Sequence, residues 1–271
     1  MAGTMSSLFP SGPPLPAFQS LLVKGPHHPS APIHLALSHA AQCPGTRILM
    51  ITPSRETMAA ALREHNDDWI ATRSGTGDVL GLAGCSTVFY PPSPAHFSFL
   101  VEMLSTNTDG NNPTTVLAQA PSLVILVGLS AYFLEDVEMN PTGHPWTVSS
   151  YMTLVARTLA SFAALSPTPI ALALFDAHLD ALKLPILKHP PSKPSKLENV
   201  AFYVQKYFEL LAVFERDDDS FLSSSQEDER EMDSQQRNRM HLFRRGQPKP
   251  ETWRWIERIE GGTVFVWDGI T

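Results

Sequence analysis

Ser20-Leu-Leu-Val-Lys-Gly-Pro-His-His-Pro-Ser-Ala-Pro-Ile-His-Leu-Ala-Leu-Ser-His-Ala-Ala41 runs from a short apolar segment through turn residues into an apolar stretch. Ser20–Lys24 reads as a buried strand and Gly25–Pro32 as a loop. Ile33–Ala41 reads as a helix, with Pro32 acceptable at its first position because the N–H it lacks is unpaired there anyway. Strand, loop, helix in this order is the arrangement of a phosphate-binding P-loop, GxxxxGK[ST]. In a working loop, glycines let backbone N–H groups cradle phosphates, the lysine reaches the outer phosphates and the hydroxyl holds magnesium.

Counted from Gly25, the second glycine falls on Ser30, the lysine on Ala31 and the hydroxyl on Pro32. Pro32 also removes a backbone donor. The central strand of such a fold should end in an acid for the magnesium shell, and Val127 stands there, followed by Gly128. Both halves of the metal–phosphate machinery are missing together, so the sequence predicts no ATP hydrolysis, no bound metal and no cofactor. The alternative at this point is an ordinary loop in another doubly wound fold.

Outward from this segment, strands and helices alternate. Arg47–Thr52 reads as a strand, and Ser54 caps a helix running through Thr57–His65. Thr87–Tyr90 is a strand ended by Pro91-Pro92, and Ser93 opens a helix to Leu104. Ser122–Val127 is apolar throughout, as a strand covered on both faces should be. Val148–Leu165 has helical spacing, with Tyr151, Leu154, Val155, Leu159 and Phe162 on one face. Pro169–Phe175 is a strand, Leu197–Lys206 a helix and Tyr207–Phe214 a strand. Thr252–Ile259 and Thr263–Trp267 flank Glu260-Gly-Gly262, a hairpin signature. The expected architecture is a mostly parallel sheet with flanking helices and a C-terminal antiparallel hairpin. The predicted organisation is a Pro/Gly/Ser-rich flexible arm (1–17), a core (18–214), an acidic insertion (215–236) and a basic segment with hairpin that completes the core (237–271).

The 271 residues are 43% hydrophobic and 17% charged, enough apolar material for one sizeable α/β domain. Cys43 and Cys85 form no CxxC, which excludes a disulfide framework or a paired-cysteine zinc site. Uninterrupted apolar runs such as Leu123–Val127 are far too short to span a bilayer, and a soluble intracellular protein is expected. The net charge of −7 is localised. Glu215–Gln236 holds nine acidic and two basic residues, while Arg237–Arg258 holds seven basic and two acidic. Such acidic runs are most often solvated loops, although Ser220 and Ser223–Ser225 are exposed candidates for modification.

Within the basic stretch, Arg237, Arg239, Arg244, Arg245, Lys249, Arg254 and Arg258 are candidates to neutralise DNA phosphates. Strand alternation sends Arg254 and Arg258 to one face and Trp253 and Trp255 to the other. The tryptophans therefore read as core rather than as platforms for unpaired bases. The bland reading of the arginines is a solvated face, or pairing in cis with Asp217–Asp219 and Glu227–Glu231.

Pro121-Ser-Leu-Val-Ile-Leu-Val-Gly-Leu-Ser-Ala-Tyr-Phe-Leu-Glu-Asp136 resembles the central-strand segment of the recombinase paralogue that partners a SWIM-domain protein in the Shu complex. That family's strand ends in Asp-Gly, and here Val127 replaces the Asp. Val88-Phe-Tyr-Pro-Pro-Ser93 is similar to its strand–Pro-Pro–helix segment. Thr252-Trp-Arg-Trp255 and Gly262-Thr-Val-Phe-Val-Trp267 are similar to its terminal hairpin. The resemblance implies a RecA-like P-loop fold and a nuclear role in homologous recombination. It also implies a SWIM-domain zinc protein as partner in a hetero-oligomer, and binding of single-stranded or branched DNA in support of the recombinase filament.

No GxSxG elbow or HExxH helix occurs. Asp176-Ala-His178 and Asp180 follow a buried strand at the carboxyl edge where α/β folds hold ligands, but they bring no nucleophile or base partner. His27 and His28 lie in the degenerate loop and read as surface or as anion contacts. Two other classes stay open: a catalytically dead RecA-like ring subunit of the Elongator accessory subcomplex, acting in tRNA modification, and a small-molecule enzyme with an α/β site.

Overall fold

A computed structural model describes residues 6–104, 116–117, 119–134, 146–186, 196–216, 235–259 and 261–270. A nine-stranded sheet organises the chain. Its parallel strands are β1 (Ser20–Lys24), β2 (Ile48–Ile51), β3 (Ser86–Phe89), β4 (Leu123–Val127), β5 (Ala171–Asp176) and β8 (Leu210–Arg216). The antiparallel strands β9 (Gln235–Arg244), β10 (Glu251–Ile259) and β11 (Thr263–Ile270) continue it, in the order β11-β10-β9-β8-β1-β5-β4-β2-β3. Short strands β6 (Lys183–Pro185) and β7 (Leu197–Asn199) form a separate pair.

The strands in the middle of the sheet are apolar because both of their faces are covered. Leu21, Leu22 and Val23 of β1, and Leu123–Leu126 of β4, are fully buried. One core layer lies between the sheet and helices α5 (Pro94–Met103), α6 (Val148–Leu165) and α7 (Val200–Val204). The opposite layer is built by α1 (Ala31–Gln42), the N-terminal segment and the inward face of β9–β11. Helices α2 (Arg55–His65), α3 (Asp68–Arg73) and α4 (Gly77–Ala83) contribute no fully buried residue. By length and composition α6 would cross a bilayer, but it lies on the sheet with Tyr151, Val155 and Phe162 in the core.

Local chemistry sets the helix starts. Ser54 and Ser93 accept from the N–H groups of Thr57 and His96, and Thr147 forms a reciprocal capping box with Ser150. The helix expected over Leu197–Lys206 is shorter than predicted: Leu197–Asn199 pairs with β6 instead, and Asn199 caps α7. Tyr207 belongs to a 3₁₀ turn, so β8 starts only at Leu210.

Two predicted boundaries need correction. The flexible arm does not hold for residues 6–17: Leu8, Phe9 and Leu15 are buried, and Phe9 packs against Phe214, Trp255, Phe265 and Trp267. Proline and glycine content hid these three anchoring apolar side chains, which complete the layer beneath the terminal strands. The acidic insertion is also narrower than 215–236, because its first and last residues are strand: Arg216 ends β8 and Gln235 begins β9. Residues 217–234, with the acidic run and Ser220 and Ser223–Ser225, lie outside the described residues.

Candidate functional site

Strand β1 lies between β8 and β5, so β5 separates the strand leading into the loop from β4, where a metal-binding acid would stand. Gly25 turns the chain out of β1 with φ +85°, which glycine adopts without steric cost. Across the loop, three residues (Pro26, Pro29 and Pro32) have no N–H, and five of the other six donors turn inward. His27 N–H bonds to Gly25 O at 2.7 Å, Ala31 N–H to His28 O at 3.0 Å, and both Ile33 and His34 N–H to Ser30 O at 2.9 Å. Ser30 N–H points at His28 Nδ1, 3.2 Å away. Ala31, at the lysine position, is fully buried, as is Ser30 at that of the second glycine.

An internal carboxylate stands at the head of α1. Asp67 Oδ2 accepts from the Ser30 hydroxyl at 2.5 Å and from His34 Nε2 at 2.7 Å, and Asp67 Oδ1 accepts from Ile70 N–H at 3.1 Å as the cap of α3. His28 Nδ1 lies 2.7 Å from the same Ser30 hydroxyl. Burial pushes the Asp67 pKa up, but the hydrogen bonds from His34 and Ser30 outweigh it and hold the carboxyl below its ordinary value. His27 and His28 are lowered to about 4, chiefly because burial disfavours the charged ring. His28 is a buried packing group and not the surface residue the sequence suggested, while His27 is half-buried. His27 sits edge-on to Phe175 and Phe214, and His28 is only 5% exposed. Serine, histidine and aspartate do meet here, yet the hydroxyl donates to the carboxylate and is sealed from solvent, so the trio lacks the geometry of an activated nucleophile.

At the carboxyl edge, Val127 ends β4 opposite Phe175, and Gly128 follows with φ +66°. Among the described residues, the acid that enters the core here is on the neighbouring strand. Asp176, at the end of β5, accepts from Ser130 N–H and Tyr151 Oη, both at 2.9 Å, and from the Ser130 hydroxyl. Burial outweighs these bonds and raises its pKa. Asp176 thus clasps α6 and the turn after β4 to the sheet, and Asp180 pairs with Lys24 at 2.8 Å. Among the described residues, no group of His, Cys, Asp and Glu is arranged to hold a metal ion.

The basic residues separate by face. In β9 and β10, Asn238, Met240, Leu242, Trp253 and Trp255 turn inward and are buried. On the outward face Arg239 stands directly across from Arg254, Arg237 is opposite Ile256, and Arg258 lies one pleat further along. Arg237 and Arg254 are exposed and make no ion pair among the described residues, whereas Arg239 Nε donates to Glu215 at 2.9 Å. Arg245 and Lys249 are exposed at the β9–β10 connection. Arg244 departs from the set: it turns to the other face, 3.0 Å from Glu209, and donates to Ala17 O at 3.2 Å. The strand β9 went unrecognised in the sequence, although its inward Asn238, Met240 and Leu242 alternate with outward Arg239, His241 and Phe243.

A mostly parallel core sheet with flanking helices and an antiparallel C-terminal extension is the architecture expected from the sequence. No protein-family model matches the chain, and no curated protein does. Among solved structures it is similar to the flagellar accessory protein FlaH from Methanocaldococcus jannaschii, with 11% identity over 96% of this chain and 98% of that one, at a TM-score of 0.44. It is also similar to a DnaB-like replicative helicase, with 10% identity over 90% of this chain and 58% of that one, at a TM-score of 0.45. At these identities the likeness concerns shape alone.

Proposed function

We propose that this chain is a RecA-like subunit without nucleotide hydrolysis that works by binding DNA and protein partners. The observation that carries the reading is the closed loop of residues 26–34. Its three prolines lack donors, five of its six other N–H groups are taken within the loop, and the carboxylate of Asp67 holds Ser30 and His34 at the head of the helix. A phosphate there would find no lysine within the loop and at most one N–H group not already bonded, and the Asp67 carboxylate would disfavour it.

The DNA-binding surface is the outward face carrying Arg237, Arg239, Arg254 and Arg258, with Arg245 and Lys249 at its end. Two exposed guanidinium groups, Arg237 and Arg254, with Arg239 and Arg258 half-buried on the same face, suit a polyanion whose sequence is not read. Together with the segments that resemble a Shu-complex recombinase paralogue, this supports a nuclear role in homologous-recombination repair. The protein would act there beside a SWIM-domain zinc protein and the recombinase filament.

Two experiments test the reading. Magnesium-ATP at millimolar concentration should leave the melting temperature unchanged and release no phosphate. A ligand at about 100 times its Kd would add about 2.7 kcal/mol, so a shift of several degrees overturns the closed-loop reading. Affinity purification from the native cell should recover a SWIM-domain protein and a recombinase. Recovery of Elongator subunits in their place keeps the fold and overturns the recombination role.

A further inference from the structure

The outward face of β9 carries rings as well as cations. Along the strand its outward residues are Arg237, Arg239, His241 and Phe243, opposite Ile256, Arg254 and Thr252 on β10 and Leu211 on β8. Phe243 is 40% exposed, although phenylalanine is among the residues most often buried. Its ring centre lies 6.3 Å from that of His241, and the two planes are tilted by 53°. Alternate residues of a strand are about 7 Å apart, so this face sets two cations and two rings at regular steps, with Glu215 of β8 against Arg239 (2.9 Å) and His241 (3.6 Å). Phe243 also walls a surface groove with Lys206, Leu211 and Arg245. Arg244 and Glu209 border the same groove but hold each other, and Lys206 Nζ lies over the Phe202 ring at 4.2 Å.

We propose that this strip is a platform for a single strand of nucleic acid, with unpaired bases stacking on Phe243 and His241. Arg237 and Arg254 meet the phosphates on one side of the rings, and Arg245 and Lys206 meet them on the other. The assignment rests on the nucleic-acid reading of the arginine face and adds the structure of the ligand to it. A duplex keeps its base faces within its own stack, so the rings favour single strands over duplex. Trp253 and Trp255 cannot take this part, because each is only 2% exposed. An acidic peptide would use the cations and gain nothing from the rings.

The test is fluorescence anisotropy of the full chain with a labelled oligothymidylate and with a duplex of equal length, across a salt series. The wild type should prefer the single strand. Phe243→Ala and Phe243→Leu should each weaken single-strand binding about tenfold, with duplex affinity and salt slope unchanged. Phe243→Leu keeps an apolar side chain in the groove, and an unchanged melting temperature for it removes misfolding as an explanation. Single-strand binding that survives both Phe243 variants while Arg237→Ala/Arg254→Ala weakens it overturns the stacking platform and leaves the nucleic-acid reading intact. If polyglutamate displaces the oligonucleotide equally from wild type and Phe243→Ala, the rings are equally irrelevant and the platform fails. A wild type that binds neither nucleic acid at low salt overturns the nucleic-acid reading itself.

Discussion

The carbonyl oxygen of Phe214 occupies the space that a Cβ on Gly25 would need, 2.2 Å from where that carbon would be built. Gly25 also has φ +85°, so any L side chain there is strained twice, by its own backbone and by β8. Gly45 has a similar φ of +79° but nothing within 4 Å. Gly45→Ala should therefore cost about 1 kcal/mol, while Gly25→Ala should cost at least about 3 kcal/mol, since the clash is with backbone that cannot rotate away. Urea unfolding of the two variants measures the difference. Equal losses would show that Gly25 serves the turn alone and not the contact between β1 and β8.

Acid should weaken the fold through the loop histidines. Burial lowers His27 and His28 from 6.5 to about 4 in the folded chain. Between those values the unfolded chain binds more protons than the folded one, so stability is greatest above the ordinary histidine range and falls as pH drops toward 4. Asp67, held below its ordinary value, pulls in the same direction at lower pH. For His28 the loss amounts to roughly 3 kcal/mol across the window. Melting temperatures from pH 7 to pH 4 should decline steadily, and His28→Gln should flatten the decline. An unchanged slope in that variant assigns the acid sensitivity elsewhere.

Asp67 should be worth more to the fold than its place between two short helices suggests. Its removal strands the His34 imidazole in a dry interior and leaves the Ser30 hydroxyl with His28 Nδ1 alone. Asp67→Ala should cost about 3 kcal/mol, and Asp67→Asn less because its amide oxygen can still accept. Thermal unfolding distinguishes them. Near-neutral behaviour of Asp67→Ala would mean that solvent reaches the head of α1.

The parallel core was legible because buried strands write themselves as apolar runs, as in Ser122–Val127, and because Ser54 and Ser93 mark helix starts by their own hydrogen bonding. That Ser30, Ala31 and Pro32 do not fit the P-loop pattern was equally plain. The contact that Ser30 makes was not. Asp67 lies 37 residues beyond Ser30 and reaches it only through the tertiary fold, and no local pattern announces such a pairing. The N-terminal segment misled for a related reason: Leu8, Phe9 and Leu15 are spaced irregularly among turn residues and find their core in strands at the far end of the chain. Strand β9 was masked by its arginines, which are outward residues of a sheet face rather than a solvated loop.

The division of the arginines by face yields the sharpest test of the nucleic-acid surface. Arg237 and Arg254 face outward and make no ion pair among the described residues, whereas Arg244 is held by Glu209 and Ala17 on the other side. Each phosphate contact on a single strand contributes a slope of about −0.7 to log K against log salt. Arg237→Ala/Arg254→Ala should therefore make the slope less negative by about 1.4 while leaving the melting temperature nearly unchanged. Arg244→Ala should do the reverse: keep the slope, and lower the melting temperature by releasing the end of β9 from Glu209. Anisotropy titrations across a salt series, paired with thermal unfolding, read both quantities from the same preparations. If Arg244→Ala moves the slope and the outward pair does not, the binding surface lies at the β9–β10 connection and not on the sheet face.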